Sequence, residues 1–281
     1  VIITEENRRF PAMNGIANPF ERFELKIMEA GHDQVDSSWH RFVTFFPYYR
    51  LYYIVSGHAV IYLQEQMLEL KPGHMYYVPA FSLFDAHCDQ ILDHYWIHFN
   101  FDATAEKYLT ICPPRYEATP RPSDEAIFRL ATELARLPAE EKHLPDVVAA
   151  ESLSKYLFSR FLPDEEELES SDAVRFIPVL QYIDENFSKK ITNEDLSAIV
   201  YLTPNYFSNL FTRRFGVSPQ KYILQKRLNL AAAMLFESGK SIKEIAFACG
   251  FENETYFNRQ FHKIMGMSPG KYRKVTVPLN G

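Results

Sequence analysis

The most restrictive feature of this sequence is a pattern that occurs twice, fifty residues apart. Within a seventeen-residue window, eight residues are identical at equivalent positions of the two copies. Each copy, with the segment before it, predicts a short helix, a tight turn and a second amphipathic helix with a polar outer face. The chain must therefore fold two equivalent helical pairs. The identical residues are Tyr206, Phe207, Phe211, Gly216, Ser218, Pro219, Lys221 and Tyr222, which recur as Tyr256, Phe257, Phe261, Gly266, Ser268, Pro269, Lys271 and Tyr272.

Length and charge divide the chain into two parts. At 281 residues, of which 47% are apolar, two globular domains are expected. Residues 1–171 contain 15 Lys and Arg against 27 Asp and Glu, a net charge of −12. Residues 172–281 contain 15 against 9, a net charge of +6. Such an asymmetry indicates a nucleic-acid-binding C-terminal half, with an unevenly charged but merely solvated surface as the alternative.

Other compositional features indicate the compartment. No stretch approaches the roughly 18 consecutive apolar residues of a membrane helix. The N-terminus has no signal-peptide pattern, although the sequence starts at Val1 without a methionine, which leaves a segment lost ahead of it as an alternative. Cys88, Cys112 and Cys249 lie far apart without metal-type spacing, so we expect buried thiols. These features favour a cytoplasmic protein with no membrane segment.

The N-terminal half has the pattern of a small antiparallel barrel or sandwich. Apolar and aromatic runs at Leu51–Val55, Ala59–Leu63, Met75–Val78 and His94–Phe101 predict strands, and Gly and Pro residues between them predict turns. Residues 1–40 are expected to add edge strands. Two amphipathic helices follow, at 124–137 with Ser123 as the cap and at 146–161. They either form a dimer interface or pack on their own barrel.

An acidic run separates the two domains. We predict a sensing and dimerisation domain at 1–163, a linker at 164–172 and an all-α domain at 173–281. In the last, helix start signals recur: Thr192 and Ser241 each precede an acidic residue by three positions, which is a capping box. The fold class is therefore α+β in two domains, a β-barrel with two following helices and then two helix-turn-helix units joined by a long helix.

The second helix of each unit has the residue types of a DNA-reading surface. Aromatic and leucine residues at helical spacing are expected to face a core: Tyr206, Phe207, Leu210, Phe211, Tyr256, Phe257 and Phe261. Asn and Arg suit the edges of purines in the major groove, whereas Lys, Arg, Ser and Thr reach phosphates. The alternative is a pair of purely structural helical hairpins. The predicted DNA-binding residues are Thr203, Asn205, Ser208, Asn209, Thr212, Arg213, Asn253, Thr255, Asn258, Arg259, His262 and Lys263.

The helix predicted at Pro219–Ser238 connects the two units. Its central run is rich in Leu and Ala and should be stiff. Stiffness matters because two reading helices must meet successive major grooves about 34 Å apart.

A long spaced pattern in the second unit is typical of one protein family. It comprises Ile242, Ile245, Ala246, Cys249, Gly250, Phe251, Tyr256, Phe257, Arg259, Phe261, Lys263, Gly266, Ser268, Pro269, Tyr272 and Arg273. With this pattern, residues 174–273 resemble the DNA-binding domain of the AraC/XylS transcriptional regulators. The resemblance implies bacterial transcription control, with two helices in adjacent major grooves. The first unit departs from the pattern, because Tyr201 stands where the second has Gly250, and a bulky residue is strained there if φ is positive.

The N-terminal half resembles the cupin-like sensing barrel of the same family. The resemblance rests on Leu51–Gly57, Leu70–Gly73, Tyr77–Pro79 and Trp96–Phe99. It implies a small-molecule effector and dimerisation. The strand around Arg50–Ile54 lacks the His pair of metal-binding cupins, and one histidine cannot make a metal site.

Residues that could bind the effector are aromatic and imidazole side chains. Strand alternation places His94, Trp96 and His98 on one face, which suits stacking on a sugar ring and hydrogen bonding to its hydroxyls. Ordinary core packing of Trp96 is the alternative. His40, Arg41, His58 and His87 are weaker candidates on the same reasoning. The candidate ligand-binding residues are His87, His94, Trp96 and Arg41.

Together these patterns predict a ligand-responsive, DNA-binding transcriptional regulator. We expect a sugar or sugar derivative as effector, no enzyme activity, no cofactor and no metal. Expected partners are double-stranded DNA, a second copy of the chain and RNA polymerase. One alternative is a cupin-type sugar-modifying enzyme fused to a DNA-binding module, against which the missing His pair argues. Another is a constitutive regulator whose barrel only dimerises.

Overall fold

The N-terminal part of the protein is a barrel of two antiparallel sheets. The computed structural model describes residues 23–37, 39, 46–63, 66–102, 105–106, 109–110, 114–163, 175–237 and 239–276. Its strands are β1 (Leu25–Val35), β2 (Tyr49–Ser56), β3 (Ala59–Leu63), β4 (Met67–Leu70), β5 (Met75–Val78), β6 (Leu83–Cys88), β7 (Leu92–Phe101) and β8 (Glu117–Ala118). One sheet has the order β1-β7-β2-β5-β8, and the other has the order β4-β3-β6.

The five-stranded sheet has a different chemical character on each face, because successive side chains of a strand point to opposite sides. In β7, Ile97 and Phe99 are fully buried on the face that the helices cover. Trp96, in the same strand, packs with Tyr52 and Ile54 against the three-stranded sheet. This second face is the interior of the barrel.

Two helices cover the outer face of the five-stranded sheet. They are α1 (Asp124–Ala135) and α2 (Leu144–Phe158), followed by a 3-10 turn at Ser159–Phe161. Phe128 of α1 and Phe158 of α2 are fully buried against the sheet. Packing on their own barrel, one of the two alternatives from the sequence, is therefore observed. The cap expected from Ser123 is wrong: its side chain makes no capping bond.

The C-terminal part consists of helices in the described residues. They are α3 (Ile177–Asn186), α4 (Asn193–Ile199), α5 (Pro204–Phe215), α6 (Pro219–Glu237), α7 (Ile242–Ala248), α8 (Glu254–Met265) and α9 (Pro269–Thr276). Helices α4 and α5 form the first helix-turn-helix unit, and α7 and α8 form the second. Helix α3 and the segment that follows it share the core of the first unit and are counted with it below. The capping boxes expected at Thr192 and Ser241 are both present, and each side chain accepts a bond from the backbone three residues on.

The two units have separate hydrophobic cores. The core of the first unit, which contains Phe207 and Phe211, is continuous with the aromatic core between the barrel and its helices. The second unit is built around its own cluster, which contains Phe257 and Phe261. Helix α6 contributes to both cores, so it is the rigid element that the units share.

The outcome for the remaining sequence predictions is mixed. All four predicted strands are present, and β1 is an edge strand as expected for residues before 40. The predicted linker at 164–172 lies outside the described residues. Cys88 and Cys249 are buried free thiols as expected, whereas Cys112 also lies outside them. Among the described helices, none has the length and apolarity needed to cross a lipid bilayer.

Candidate nucleic-acid interface and effector site

The helices α5 and α8 are equivalent in length and in how they end. Each has twelve residues, and each ends at a glycine in the left-handed region, Gly216 and Gly266, both at φ 71°. Their starts differ, because the Asn253 side chain accepts a 2.7 Å bond from the Tyr256 backbone N–H, whereas Thr203 makes no side-chain cap. The N-terminus of α8 is therefore held more firmly.

The predicted DNA-binding residues form six equivalent pairs on α5 and α8. The members of each pair are fifty residues apart and occupy the same position on the two helices. In five pairs both side chains are exposed, and in the pair Ser208 and Asn258 both are half-buried. Spacings of three and four residues place them on one helical face. The structure thus presents one continuous polar face on each helix. The exposed pairs are Thr203 with Asn253, Asn205 with Thr255, Asn209 with Arg259, Thr212 with His262, and Arg213 with Lys263.

The expectation that Tyr206 and Tyr256 face the core is wrong. Their side chains are 54% and 40% exposed, while Phe207 and Phe257 are fully buried. Adjacent residues are separated by about 100° around a helix, so a residue just before the buried phenylalanine lies beside the apolar stripe. The Tyr256 ring carries the Arg259 guanidinium at 5.4 Å, a cation–π contact that orients this arginine. Both tyrosines belong to the exposed face.

The turns of the two units have the same geometry although their residues differ. Tyr201 has φ 55° and Gly250 has φ 81°, so both lie in the left-handed region. In each unit the next residue donates to the carbonyl five positions back: Leu202 to Ser197 and Phe251 to Ala246, both at 3.0 Å. This is the bonding of a glycine-type helix end. Tyr201 therefore adopts the strained conformation, and its side chain is 95% exposed.

The first helix of each unit begins at a bonded carboxylate. Asp195 accepts bonds from the backbone and side chain of Thr192, and these bonds lower the pKa of its carboxyl group. Glu244 is held in the same way by Ser241, and its pKa is lowered for the same reason. A negative charge at this end also matches the helix dipole. The starts of α4 and α7 are therefore fixed locally.

The interior face of the barrel carries a cluster of polar side chains, here called the inner patch. Register pairs Asp33 of β1 with His94 of β7, and Gly31 with Trp96. The Trp96 indole donates a 2.7 Å bond to the Asp33 carboxylate. Its ring lies directly over Gly31, where a Cβ would come within 2.4 Å of it. The inner patch consists of Arg50, His94, Trp96 and His98, which are buried or half-buried, and of Glu29 and Asp33, which are exposed on the edge strand β1.

His94 is the most deeply placed histidine of the inner patch. It is only 4% exposed and contacts the rings of Trp39 and Tyr52, whose centroids lie 5.8 and 5.6 Å away. Burial lowers its pKa to about 4, which the nearby Asp33 only partly opposes. The side chain is therefore neutral near pH 7. Its Nδ1 atom is buried and has no hydrogen-bond partner among the described residues.

Arg50 is a buried cation at the end of the inner patch. Its guanidinium lies 4.7 Å from the ring of Tyr48 and 5.4 Å from the ring of Phe46. The residue is 3% exposed, and its Nη1 atom has no hydrogen-bond partner within the described ranges. Across the sheet it pairs with His98. A buried charge of this kind usually has a partner, so the Nη1 atom of Arg50 is a hydrogen-bond donor available to a ligand at this end of the barrel.

The structure separates the four candidate ligand residues. His94 and Trp96 face the barrel interior together, as the alternation in β7 predicted. His87 does not join them: it is exposed on β6 and bonds Asp89 at 2.9 Å, because its buried neighbours Ala86 and Cys88 occupy the inward positions. The other candidates are distributed as follows: His58 is exposed, whereas Arg41 and His40 lie outside the described residues.

Three of the inner-patch residues, Glu29, Asp33 and Arg50, escaped the sequence analysis because their neighbours depend on strand register, which was not predictable. Asp33 and Glu29 become neighbours of Trp96 and His98 only through the pairing of β1 with β7. The alternation Glu29-x-Gly31-x-Asp33 was the available signal. No group of three or more His, Cys, Asp or Glu side chains within the described part of the chain is arranged to hold a metal ion.

Comparison with known proteins assigns the family. A model described as an AraC-like ligand binding domain matches residues 26–154, and one described as a helix-turn-helix domain matches residues 196–275. They coincide with the barrel and its helices and with the two helical units. The chain belongs to the AraC/XylS family of transcriptional regulators. The family resemblance stated from the sequence is confirmed.

Several relatives of this AraC/XylS-family chain are known. It is 32% identical over 154 residues to the probable transcriptional regulator LumQ of Photobacterium leiognathi, covering 53% of this chain and 58% of that protein. It is 36% identical over 98 residues to the melibiose operon regulatory protein of Escherichia coli strain K12, covering 35% of this chain and 32% of that protein. The chain thus spans about a third to three fifths of these relatives.

A solved structure extends the likeness to both domains. ToxT from Vibrio cholerae matches with a TM-score of 0.55 over 90% of this chain and 99% of that chain. The identity is 14%, so this likeness concerns the fold alone.

Proposed function

We propose that this protein is a sequence-specific DNA-binding transcriptional regulator that reads two adjacent major grooves with α5 and α8. The observation that carries the proposal is the set of six equivalent polar pairs on the exposed faces of these helices. Amide and guanidinium groups on them suit base edges, and hydroxyl and ammonium groups suit phosphates. The positive charge of residues 172–281 favours association with DNA.

Two substitutions on α8 test this assignment. Arg259→Ala should relax sequence choice at one position, at a cost of about 1–3 kcal/mol for the preferred base, because we assign this exposed guanidinium, which contacts Tyr256, to a base edge. Lys263→Ala should weaken binding to all sequences alike and reduce the salt slope by about one. Lys155→Ala on α2 is the charge-matched control. Selection from random duplex DNA measures the first effect, and binding titrations at several salt concentrations measure the second. Parent-like behaviour of both variants would refute the assignment.

The inner patch supports a small polar effector, and a sugar or sugar derivative is the class we favour. Trp96 offers an aromatic surface, Asp33 accepts hydrogen bonds, and neutral His94 can donate or accept through its unpartnered Nδ1. These groups match the ring and hydroxyls of a carbohydrate. Arg41 and His87 are not used in this proposal, since the former lies outside the described residues and the latter faces away from the interior.

A thermal-shift screen against monosaccharides and sugar acids tests the effector. A ligand present at 100 times its dissociation constant stabilises the folded state by about 2.7 kcal/mol. The Trp96→Leu variant should lose the shift, while Tyr62→Leu, altering an exposed aromatic of β3, should keep it. If no compound shifts the parent, the constitutive alternative with a barrel that only dimerises is favoured. Turnover of a shifted sugar would favour the enzyme alternative.

Ring contacts link the inner patch to the DNA-binding domain and suggest how an effector acts on it. The Trp96 and His98 rings lie 4.4 Å apart, and His98 stacks on Tyr48 at 4.5 Å. Tyr48 in turn lies 6.5 Å from Phe236, near the end of α6. Phe81, held at a left-handed φ of 57°, also packs against the core of the second unit. We propose that an effector on Trp96 biases the domain arrangement through Tyr48.

The exposed side of the helical pair supports a homodimer. Leu144 is 76% exposed on α2, and Val148 and Leu130 are about half exposed, although the opposite face of both helices packs on the barrel. Val148→Glu should shift the sedimentation of a dimer toward the monomer, and an unchanged sedimentation coefficient would exclude this face. RNA polymerase as a further partner stays a prediction.

A further inference from the structure

The two helix-turn-helix units meet at a contact that is separate from both DNA-reading faces. We propose that Arg227 and the close approach of Gly250 to Ser188 lock the two units in one orientation, so that the protein accepts its two DNA elements at a single separation. These three residues are called the seam below. The inference rests on the proposed role of α5 and α8 as the reading helices, and it assigns the residues that position them.

Arg227 on α6 is bonded to the first unit and packs on the second. Its Nε donates to the carbonyl oxygen of Phe187 at 2.7 Å, and one Nη donates to the carbonyl oxygen of Lys189 at 2.7 Å. The other side of the guanidinium lies 6.0 Å from the ring of Phe251, a buried residue in the turn of the second unit. A planar fork with two fixed acceptors holds an angle as well as a distance.

Gly250 completes the seam by direct backbone contact. A Cβ on this residue would lie 2.5 Å from the carbonyl oxygen of Ser188 and 2.6 Å from its Cα. These are backbone atoms, so they cannot rotate aside. The second turn therefore rests on the loop after α3 in the first unit, and the glycine is needed for this approach as well as for its φ of 81°.

The seam matters because, among the described residues, each unit has its own hydrophobic cluster and α6 is the helix that contributes to both. Helix α6 has nineteen residues, and it holds the spacing of the units along its axis but makes no direct contact between their two turns. The seam joins the units at the groove between them, a cavity of about 670 Å³ lined by residues of both.

A change of one base pair between the two DNA elements shows what the seam resists. It moves the second element by about 3.4 Å along the duplex and turns it by about 34° around the axis. The units can follow only if the second turn leaves Ser188 and Arg227 releases its two carbonyls. With the seam intact, the protein should therefore lose contacts on one of its elements instead.

The decisive experiment uses the full chain and a pool of random duplex DNA. The parent, Arg227→Met and Lys221→Met are each put through rounds of selection, and the enriched sequences are read for two elements and the distance between them. Methionine keeps the unbranched stem of Arg227 but has no donors. Lys221 lines the same groove and its substitution removes the same charge, but its side chain makes no hydrogen bond between units among the described residues.

The expected result is a change in separation rather than in the elements themselves. The parent and Lys221→Met should enrich both elements at one separation and bind duplexes altered by one base pair at least about 30-fold more weakly. Arg227→Met should enrich the same two elements at several separations, with a loss of only about threefold on altered duplexes. If Arg227→Met is folded and still enriches the two elements at a single separation, the proposed role of the seam is refuted.

Failure of the seam and failure of the proposed function give different results. If the parent enriches no sequence, the DNA-reading assignment fails and the seam fails with it. If all three proteins enrich both elements at one separation, only the seam fails. Should circular dichroism show that Arg227→Met is unfolded, Arg227→Lys decides, because one ammonium cannot hold both carbonyls in the fork geometry. Broadened separations with Arg227→Lys would support the seam, and a single separation would refute it.

Discussion

Two glycines of this chain allow the free-energy cost of disturbing the contact between the units to be separated from the cost of backbone strain. Gly216 and Gly250 have similar left-handed φ values, 71° and 81°. A Cβ on Gly216 would meet nothing within 4 Å, whereas one on Gly250 would meet the backbone of Ser188 at 2.5 Å. Substituting alanine at each position therefore imposes the same strain but only one of them disturbs the seam.

The magnitudes follow from these distances. A left-handed alanine costs about 1–2 kcal/mol, and the stiffer unfolded chain returns about 0.4–1 kcal/mol, so Gly216→Ala should destabilise by about 1 kcal/mol. In Gly250→Ala the second turn must withdraw by about 1 Å to reach an ordinary contact distance. The clash with Ser188 backbone atoms, which cannot rotate aside, adds about 1–3 kcal/mol as overpacking, for a total of about 2–4 kcal/mol.

Urea unfolding of the full chain, followed by the helical circular dichroism signal, measures both variants. The shift in midpoint multiplied by the slope gives each loss of unfolding free energy. The difference between Gly250→Ala and Gly216→Ala isolates the seam, because the common strain cancels. If the two variants lose the same free energy to within about 0.5 kcal/mol, the second turn does not press on Ser188 and the reasoning is wrong.

Three further predictions concern titration, strain and capping. The pKa of His94 is about 4 in the folded protein and near 6.5 in the unfolded chain, so the unfolded chain binds the proton first as the pH falls. The contribution of His94 to the free energy of unfolding is therefore complete above pH 6.5 and falls by about 3 kcal/mol toward pH 4. His94→Gln should lack this loss when urea midpoints are measured across that pH range. Tyr201→Gly should raise the thermal midpoint through a gain of about 0.5–1 kcal/mol, because the left-handed strain is relieved, and Tyr201→Ala should not. Ser241→Ala should cost about 1 kcal/mol in urea unfolding through loss of its cap, and no change would mean that the box contributes nothing.

The C-terminal domain was largely predictable because its signals are local. Helical spacing, capping boxes and glycine ends all act within a few residues, and the structure reproduces the helices to within a few positions. The error at Tyr206 and Tyr256 arose from residue type, since an aromatic ring was taken as core. Position around the helix excludes them, because Phe207 and Phe257 already occupy the buried stripe.

The barrel was predictable in its strands but not in its interior. Strand existence follows from local β patterns, whereas the neighbours of Trp96 depend on how β1 pairs with β7. His87 illustrates the consequence. Alternate residues of β6 face inward and outward, and only the register of that strand shows that His87 is one of the outward-facing residues. The side chains of Asp33 and Arg50 reach the inner patch through pairings between strands far apart in sequence.

The bonds of Arg227 in the seam had no sequence signal, because Arg227 bonds to backbone carbonyls that every residue carries. The existence of the seam nevertheless explains the main asymmetry of the repeat. Both turns adopt the left-handed conformation, but only the second turn lies against the other unit. At Tyr201 the side chain points into solvent, so the position costs strain alone. At Gly250 any side chain would strike Ser188, so every residue but glycine costs the clash as well as the strain. The two copies can therefore carry different residues at this position while keeping the same turn. The turn that lies against the other unit favours glycine, and the turn that faces solvent tolerates a larger residue.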